Sequence, residues 1–194
     1  MDFRKECDEE MKQSTGSYKS LTMPKFLHEL FGKKTTKVEL TIVLLSCIVI
    51  SSLLLLHTSN EWSELAVWKK IFLLLLTLDI SGGVVANITK ATNEYYQASQ
   101  KARIVFLAIH IQPLLLGWLF GNFLLCVTVW VVTTMAAMFI TNLSGKGVQR
   151  TAGMAVTLTG VCFLIIMADT HLILNSLLAL YMLKLSFSFA VNHD

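Results

Sequence analysis

The chain has 194 residues, 54% of them hydrophobic and only 15% charged, and its mean hydropathy is +0.62. A soluble domain carries about 25% charge, and the apolar residues here fall in long runs, so a disordered chain, a disulfide scaffold and a water-soluble enzyme all fit poorly. The composition predicts an all-α fold: a polytopic helical membrane bundle of about six transmembrane helices in three hairpins.

The net charge is only +3, but eight of the sixteen basic residues lie within positions 1–37. This basic tail suits an anionic membrane surface. Asp2, Glu6, Asp8, Glu9 and Glu10 interrupt it, so nucleic acid is discounted as a partner. Within 22–32, Thr22, Pro24 and Gly32 punctuate a short helix whose apolar residues share a face. That pattern suits an interfacial helix in the headgroup layer, or one packed on loops at the same side of the membrane. Residues 1–37 hold no apolar run of signal-peptide length, so the first apolar segment is read as a retained span.

The predicted transmembrane domain, 38–191, contains spans at about 38–57, 71–88, 104–119, 123–141, 151–168 and 171–190. Residues 104–141 include no Asp, Glu, Lys or Arg, about twice one span, with Phe120-Gly121-Asn122 as the turn. Asp169-Thr170 is the turn expected between the last two spans. With the N-terminus in the cytoplasm, thirteen basic residues fall inside and only Lys69 and Lys70 outside. The positive-inside rule then places both termini in the cytoplasm. Cys47, Cys126 and Cys162 lie in apolar runs and Cys7 in the tail. None has CxxC spacing, so no disulfide or zinc site is implied.

Function is sought in residues 77–113. Asp79 lies inside the second span, where an ionised carboxylate costs roughly 2.5–3.5 kcal/mol on insertion scales. Gly83 and Asn87 follow at four-residue intervals on one helical stripe. The glycines at 82 and 83 suit close helix packing or a notch for a substrate. His110 lies in the third span at a depth comparable to that of Asp79, about 9–10 Å against 13 Å at 1.5 Å per residue. Pro113 frees a backbone carbonyl near Ile109. Arg103 and Tyr95 lie toward the cytoplasmic side.

The expected roles are Asp79 and His110 as catalytic groups, with Asn87, Arg103, Gly83 and Tyr95 binding substrate and Arg103 as the anion contact. Three functions are compatible with this set: an enzyme or binding protein for a lipid-like anionic substrate, a proton- or ion-coupled transporter, and a non-catalytic subunit or scaffold. The enzyme reading needs Asp79 and His110 within hydrogen-bond reach, directly or through a water or metal, beside a cavity. The transporter reading needs a polar route to both faces. Lys184 in the last span can snorkel to the cytoplasmic surface, or pair with Asp79 in a structural role. Membrane lipids and a small amphipathic substrate are the partners implied. The sequence specifies no metal site, cofactor or oligomeric state.

Overall fold

The computed structural model describes residues 20–166 and 171–193. Residues 1–19 of the tail, and the turn expected at Asp169-Thr170, lie outside the described residues. The chain opens with β1 (Ser20–Thr22), antiparallel to β2 (Lys34–Thr36) with Leu21 opposite Thr35. Between them lie a 3-10 turn, Lys25–Leu27, and one turn of helix, α1 (His28–Phe31), closed by Gly32 at φ 67°. The segment read as a helix near 22–32 is therefore helical only at its centre. Its ends fold back into the two-stranded ladder.

The long helices follow in order: α2 (Lys37–His57), the short α3 (Ser59–Trp62), α4 (Val67–Ala86), α5 (Lys90–Gln97), α6 (Gln100–Ile109), α7 (Gln112–Phe120), α8 (Phe123–Thr141), α9 (Lys146–Ile166) and α10 (Leu172–Met182). A π-helical stretch, Leu183–Phe189, continues α10. Thr36 and Glu39 start α2 with a reciprocal capping box: Glu39 N–H donates to the Thr36 hydroxyl, and Thr36 N–H to the Glu39 carboxylate. Such a box satisfies two backbone donors that the first turn leaves open.

Among the described residues, five helical segments are long and apolar enough to cross a membrane: Lys37–His57, Gln100–Phe120, Phe123–Thr141, Lys146–Ile166 and Leu172–Phe189. A sixth is reached by joining α4 to α5 across an 87° bend. Alone, α4 carries Lys69, Lys70 and Asp79, more charge than the apolar stretch expected at 71–88.

Sequential neighbours pack in pairs: α2 on α4, α7 on α8, and α9 on α10. Small residues set the closest approaches. A Cβ at Gly117 would stand 2.9 Å from Cys126 Cβ across the α7–α8 turn, and one at Gly82 would stand 3.1 Å from Cys47 Sγ on α2. Ser51 and Ser81 share a buried hydroxyl hydrogen bond of 2.7 Å across the α2–α4 interface. The last helix is central. It touches α2, α4, α7, α8 and α9, and Ile173, Leu174, Leu177, Leu178 and Leu185 are fully buried. At the end of α10 away from the basic tail, Glu61 accepts the Leu172 and Ile173 N–H groups, each at 2.9 Å. A carboxylate from the short helix α3 thereby satisfies two donors at a helix N-terminus, where negative charge is favoured.

Candidate functional site

Two interruptions of regular helix meet beside Asp79. The first separates α6 from α7. Pro113 denies the chain a backbone donor, and the helix breaks at His110 (φ −82°, ψ 67°) and Ile111. The Ile109 carbonyl, expected to be freed, is taken up by Ile111 N–H at 2.9 Å. The Phe106 carbonyl accepts from His110 Nδ1 at 2.5 Å, and the His110 carbonyl accepts from the Tyr181 hydroxyl at 2.9 Å. A broken helix in apolar surroundings persists only when its freed backbone groups find such partners.

The second interruption is the π-helical stretch. A wide turn of this kind is rare and is frequent at functional sites. It carries Lys184, whose side chain is 2% exposed. Lys184 Nζ donates to Asp79 Oδ2 at 3.1 Å and to the Asp79 backbone carbonyl at 3.2 Å. Lys184 therefore does not snorkel. Its ammonium balances a carboxylate near the middle of the neighbouring helix.

Gly83 is what admits it. A Cβ there would lie 2.3 Å from Lys184 Cε and 2.8 Å from its Nζ. The notch beside Asp79 is thus filled by this chain's own lysine.

Gln112 completes the arrangement. Its Nε2 donates to Asp79 Oδ2 at 2.5 Å, so that one carboxylate oxygen receives both donors. Facing the amide NH₂ toward the carboxylate leaves Gln112 Oε1 on the other side, where it is buried without a partner. Asp79 Oδ1 has no hydrogen bond among the described residues, and the Asp79 side chain is 44% exposed. His110, bonded through Nδ1 to a carbonyl, must carry its proton there when neutral, which leaves Nε2 as a lone-pair acceptor. The cluster thus offers three open acceptors: Asp79 Oδ1, Gln112 Oε1 and His110 Nε2. No hydrogen bond joins Asp79 to His110 directly; the two are linked through Gln112, which bonds Asp79 and lies two residues beyond His110.

The surroundings are asymmetric. Toward the Glu61 end the core is apolar, built by Leu73, Leu76, Leu116, Leu119, Leu174 and Leu177, and buried Thr77 bonds its own helix. Toward the basic end, Asn87 Nδ2, Asn93 Nδ2, Ser186 Oγ and Ser188 Oγ are buried without partners among the described residues. Gly83 faces Lys184, so Asn87, one turn farther along α4, faces the turn of the last helix that bears Ser188. Beside them a stack of rings runs back from the cluster. His110 lies 3.8 Å from Phe106, Phe106 lies 4.0 Å from Phe189, and Tyr96 touches both phenyl rings.

The residues expected to form one site are therefore divided. Asp79 and Gly83 meet at Lys184, His110 lies at the helix break whose Gln112 bonds Asp79, and Asn87 lies one turn farther along α4. Tyr95 instead lines an open cleft at the basic end with Ser99 and Ala102. Arg103 follows Ala102 on the same helix, half-buried, with its Nε unpartnered. No protein-family model, curated protein or solved structure matches this chain. Among the described residues no three His, Cys, Asp or Glu side chains group as metal ligands do.

Gln112 and Tyr181 were not identified as site residues from sequence. Tyr181 precedes Lys184 by three positions, a spacing that puts both on one helical face. Gln112 follows His110 at the proline break, where a polar side chain next to freed backbone is the available signal.

Proposed function

We propose that the chain is a polytopic helical membrane bundle, with both termini in the cytoplasm, that binds a small amphipathic molecule at the Asp79 cluster. The observation that carries this reading is the buried, unpartnered Gln112 Oε1 next to a carboxylate whose charge Lys184 already balances and whose Oδ1 is open, with His110 Nε2 a third acceptor at the same helix break. An anion gains little there because the Lys184 charge is already balanced, whereas a hydroxyl, amide N–H or amine finds open acceptors. A buried acceptor without a partner, as Gln112 Oε1 is among the described residues, is uncommon in folded proteins and is satisfied by water or by a ligand. The molecule favoured is lipid-like, with a hydrogen-bond-donating polar group beside Asp79 and an apolar part among the helices. An anionic portion, if present, would reach toward Arg103.

His110 gives the same site a chemical capacity. An imidazole oriented through Nδ1 has Nε2 ready to accept a proton from a bound hydroxyl. The transporter reading is less favoured, because the core toward the Glu61 end is sealed by leucines. The scaffold reading explains the ion pair but leaves the three acceptors without a purpose.

A photoactivatable, alkyne-tagged monoacylglycerol tests this directly, since it offers two hydroxyls on an apolar chain. Adducts are expected on α4 and around the α6–α7 break, and are expected to diminish at least five-fold in Gln112→Leu. A photoactivatable fatty-acid methyl ester of equal length, which lacks donors, is expected to label these positions weakly. Equal labelling by the two probes contradicts the reading.

A further inference from the structure

The cleft that holds Tyr95 has a different chemistry from the Asp79 cluster. It encloses about 540 Å³ and is lined by Lys33, Lys34, Ala91, Glu94, Tyr95, Ala98, Ser99 and Ala102. One wall is the β-hairpin segment. Thr92 Oγ1 and the Tyr96 hydroxyl donate to the Leu30 and Glu29 carbonyls, each at 3.1 Å, and hold that segment against α5. Burial raises the Tyr96 phenol's pKa well above its ordinary value, and the charge of Glu29 adds to this, so the donor is retained at any physiological pH. Gly32 makes the seam close: a Cβ there would lie within 2.1 Å of the Ala91 carbonyl oxygen. The hairpin is thereby fixed so that both of its lysines border the cleft.

The charge balance of the lining is positive. Lys33 and Lys34 are exposed and have no carboxylate partner among the described residues. Glu94 contributes the one negative group, and Lys90 stands 3.7 Å from it. Tyr95 is half-buried, its ring set at the edge of Tyr96 (5.1 Å) and of His28 (6.3 Å). The position matters as much as the charge. Lys34 begins β2, which leads directly into α2, and Ser99 caps α6. The cleft therefore lies where two apolar helices begin.

From its floor an apolar lane runs along α6. Ala102, Val105 and Ile109 share one stripe, and the last two are 47% and 58% exposed.

We infer that this cleft binds the phosphate-bearing headgroup of an anionic lipid, with one acyl chain along the Val105–Ile109 stripe. Lys33 and Lys34 neutralise the phosphate, and the Tyr95 hydroxyl and Ser99 lie within the headgroup volume as hydrogen-bonding groups. The apolar lane is what selects a lipid over a free phosphate. The inference is independent of the Asp79 cluster, which shares none of these lining residues.

Native mass spectrometry of the purified full chain tests it, titrating phosphatidylglycerol, phosphatidylcholine and sn-glycerol-1-phosphate separately. Phosphatidylglycerol is expected to bind at least tenfold more tightly than either of the others. In Lys33→Gln/Lys34→Gln its affinity is expected to fall about thirty-fold, since each lysine near a lipid surface contributes roughly fivefold. The phosphatidylcholine affinity is expected to stay the same. Both lysines are exposed, so an unchanged melting midpoint confirms that the variant folds. Val105→Glu, which interrupts the lane, is expected to weaken the lipid and leave glycerol phosphate unaffected. Equal binding of the two phospholipids, an unaltered affinity in the double variant, or glycerol phosphate binding as tightly as the lipid would each overturn the inference.

Discussion

At the scale of single residues, Lys184 and Asp79 have unequal surroundings, since the lysine is 2% exposed and the carboxylate 44%. Removing one partner of a buried ion pair costs about 3–5 kcal/mol, because the other charge is left uncompensated. Asp79→Asn strands the more buried member and is expected to lower stability by an amount of that order. Replacing both, as in Asp79→Asn/Lys184→Met, is expected to restore most of it. Unfolding of the three proteins in one detergent measures this cycle, and a double variant as unstable as Asp79→Asn would refute it. Gly83 and Gly160 form a second contrast. A Cβ at Gly83 strikes Lys184, which two hydrogen bonds hold in place, whereas one at Gly160 meets the end of Met182, 1.9 Å from its Cε. Methionine is unbranched and can re-pack. Gly83→Ala is therefore expected to lower the melting midpoint more than Gly160→Ala.

At the scale of elements, what sequence revealed follows from what sets each feature. The long helices were legible because an apolar run of about 20 residues has few alternatives in lipid. Gly121, at φ 77°, closes α7 where Phe120-Gly121-Asn122 was read as a turn. The break at His110 was half legible: Pro113 announces a disturbed helix, but not that Tyr181 and the His110 ring would absorb the freed carbonyls. The π-helical stretch was not legible, because nothing in LKLSFSF departs from an ordinary helical pattern. It carries Lys184 against Gly83 of a helix much earlier in the chain, a contact the local sequence does not encode. Arg103 and Tyr95 were grouped with Asp79 by sequence proximity, but the 87° bend after α4 carries Tyr95 away to the basic end. The Glu61 cap is a long-range feature of the same kind, linking the short helix α3 to a helix more than 100 positions later. Glu61→Ala is expected to destabilise the protein by about 0.5–2 kcal/mol, in the range of other N-terminal caps. Faster hydrogen exchange of the Leu172 and Ile173 amides is the specific sign of that loss. Unchanged exchange there would show that the cap contributes nothing.

At the scale of the whole molecule, polarity is graded along the helices. Leucines close the core near Glu61, the Asp79 cluster lies mid-way, and unpartnered amides and hydroxyls accumulate toward the basic end. In the topology proposed from the positive-inside rule, that gradient has its polar end toward the cytoplasm. Cysteines introduced at Lys90 and at Glu64 are expected to react with a membrane-impermeant maleimide from opposite sides of sealed vesicles. Labelling of both from one side would contradict the topology. Within that frame the ion pair has two descriptions, an internal fastening of three helices or the balanced base of a binding site, and they differ in one respect. A fastening can be replaced by neutral groups without other loss, but a site cannot. The decisive measurement is native mass spectrometry of the wild type and Asp79→Asn/Lys184→Met, each gently extracted from the same membrane and matched for melting midpoint. A bound amphipathic molecule on the wild type, absent from the equally folded double variant, is the predicted result. The same adduct on both proteins, or no adduct on the wild type, would contradict it.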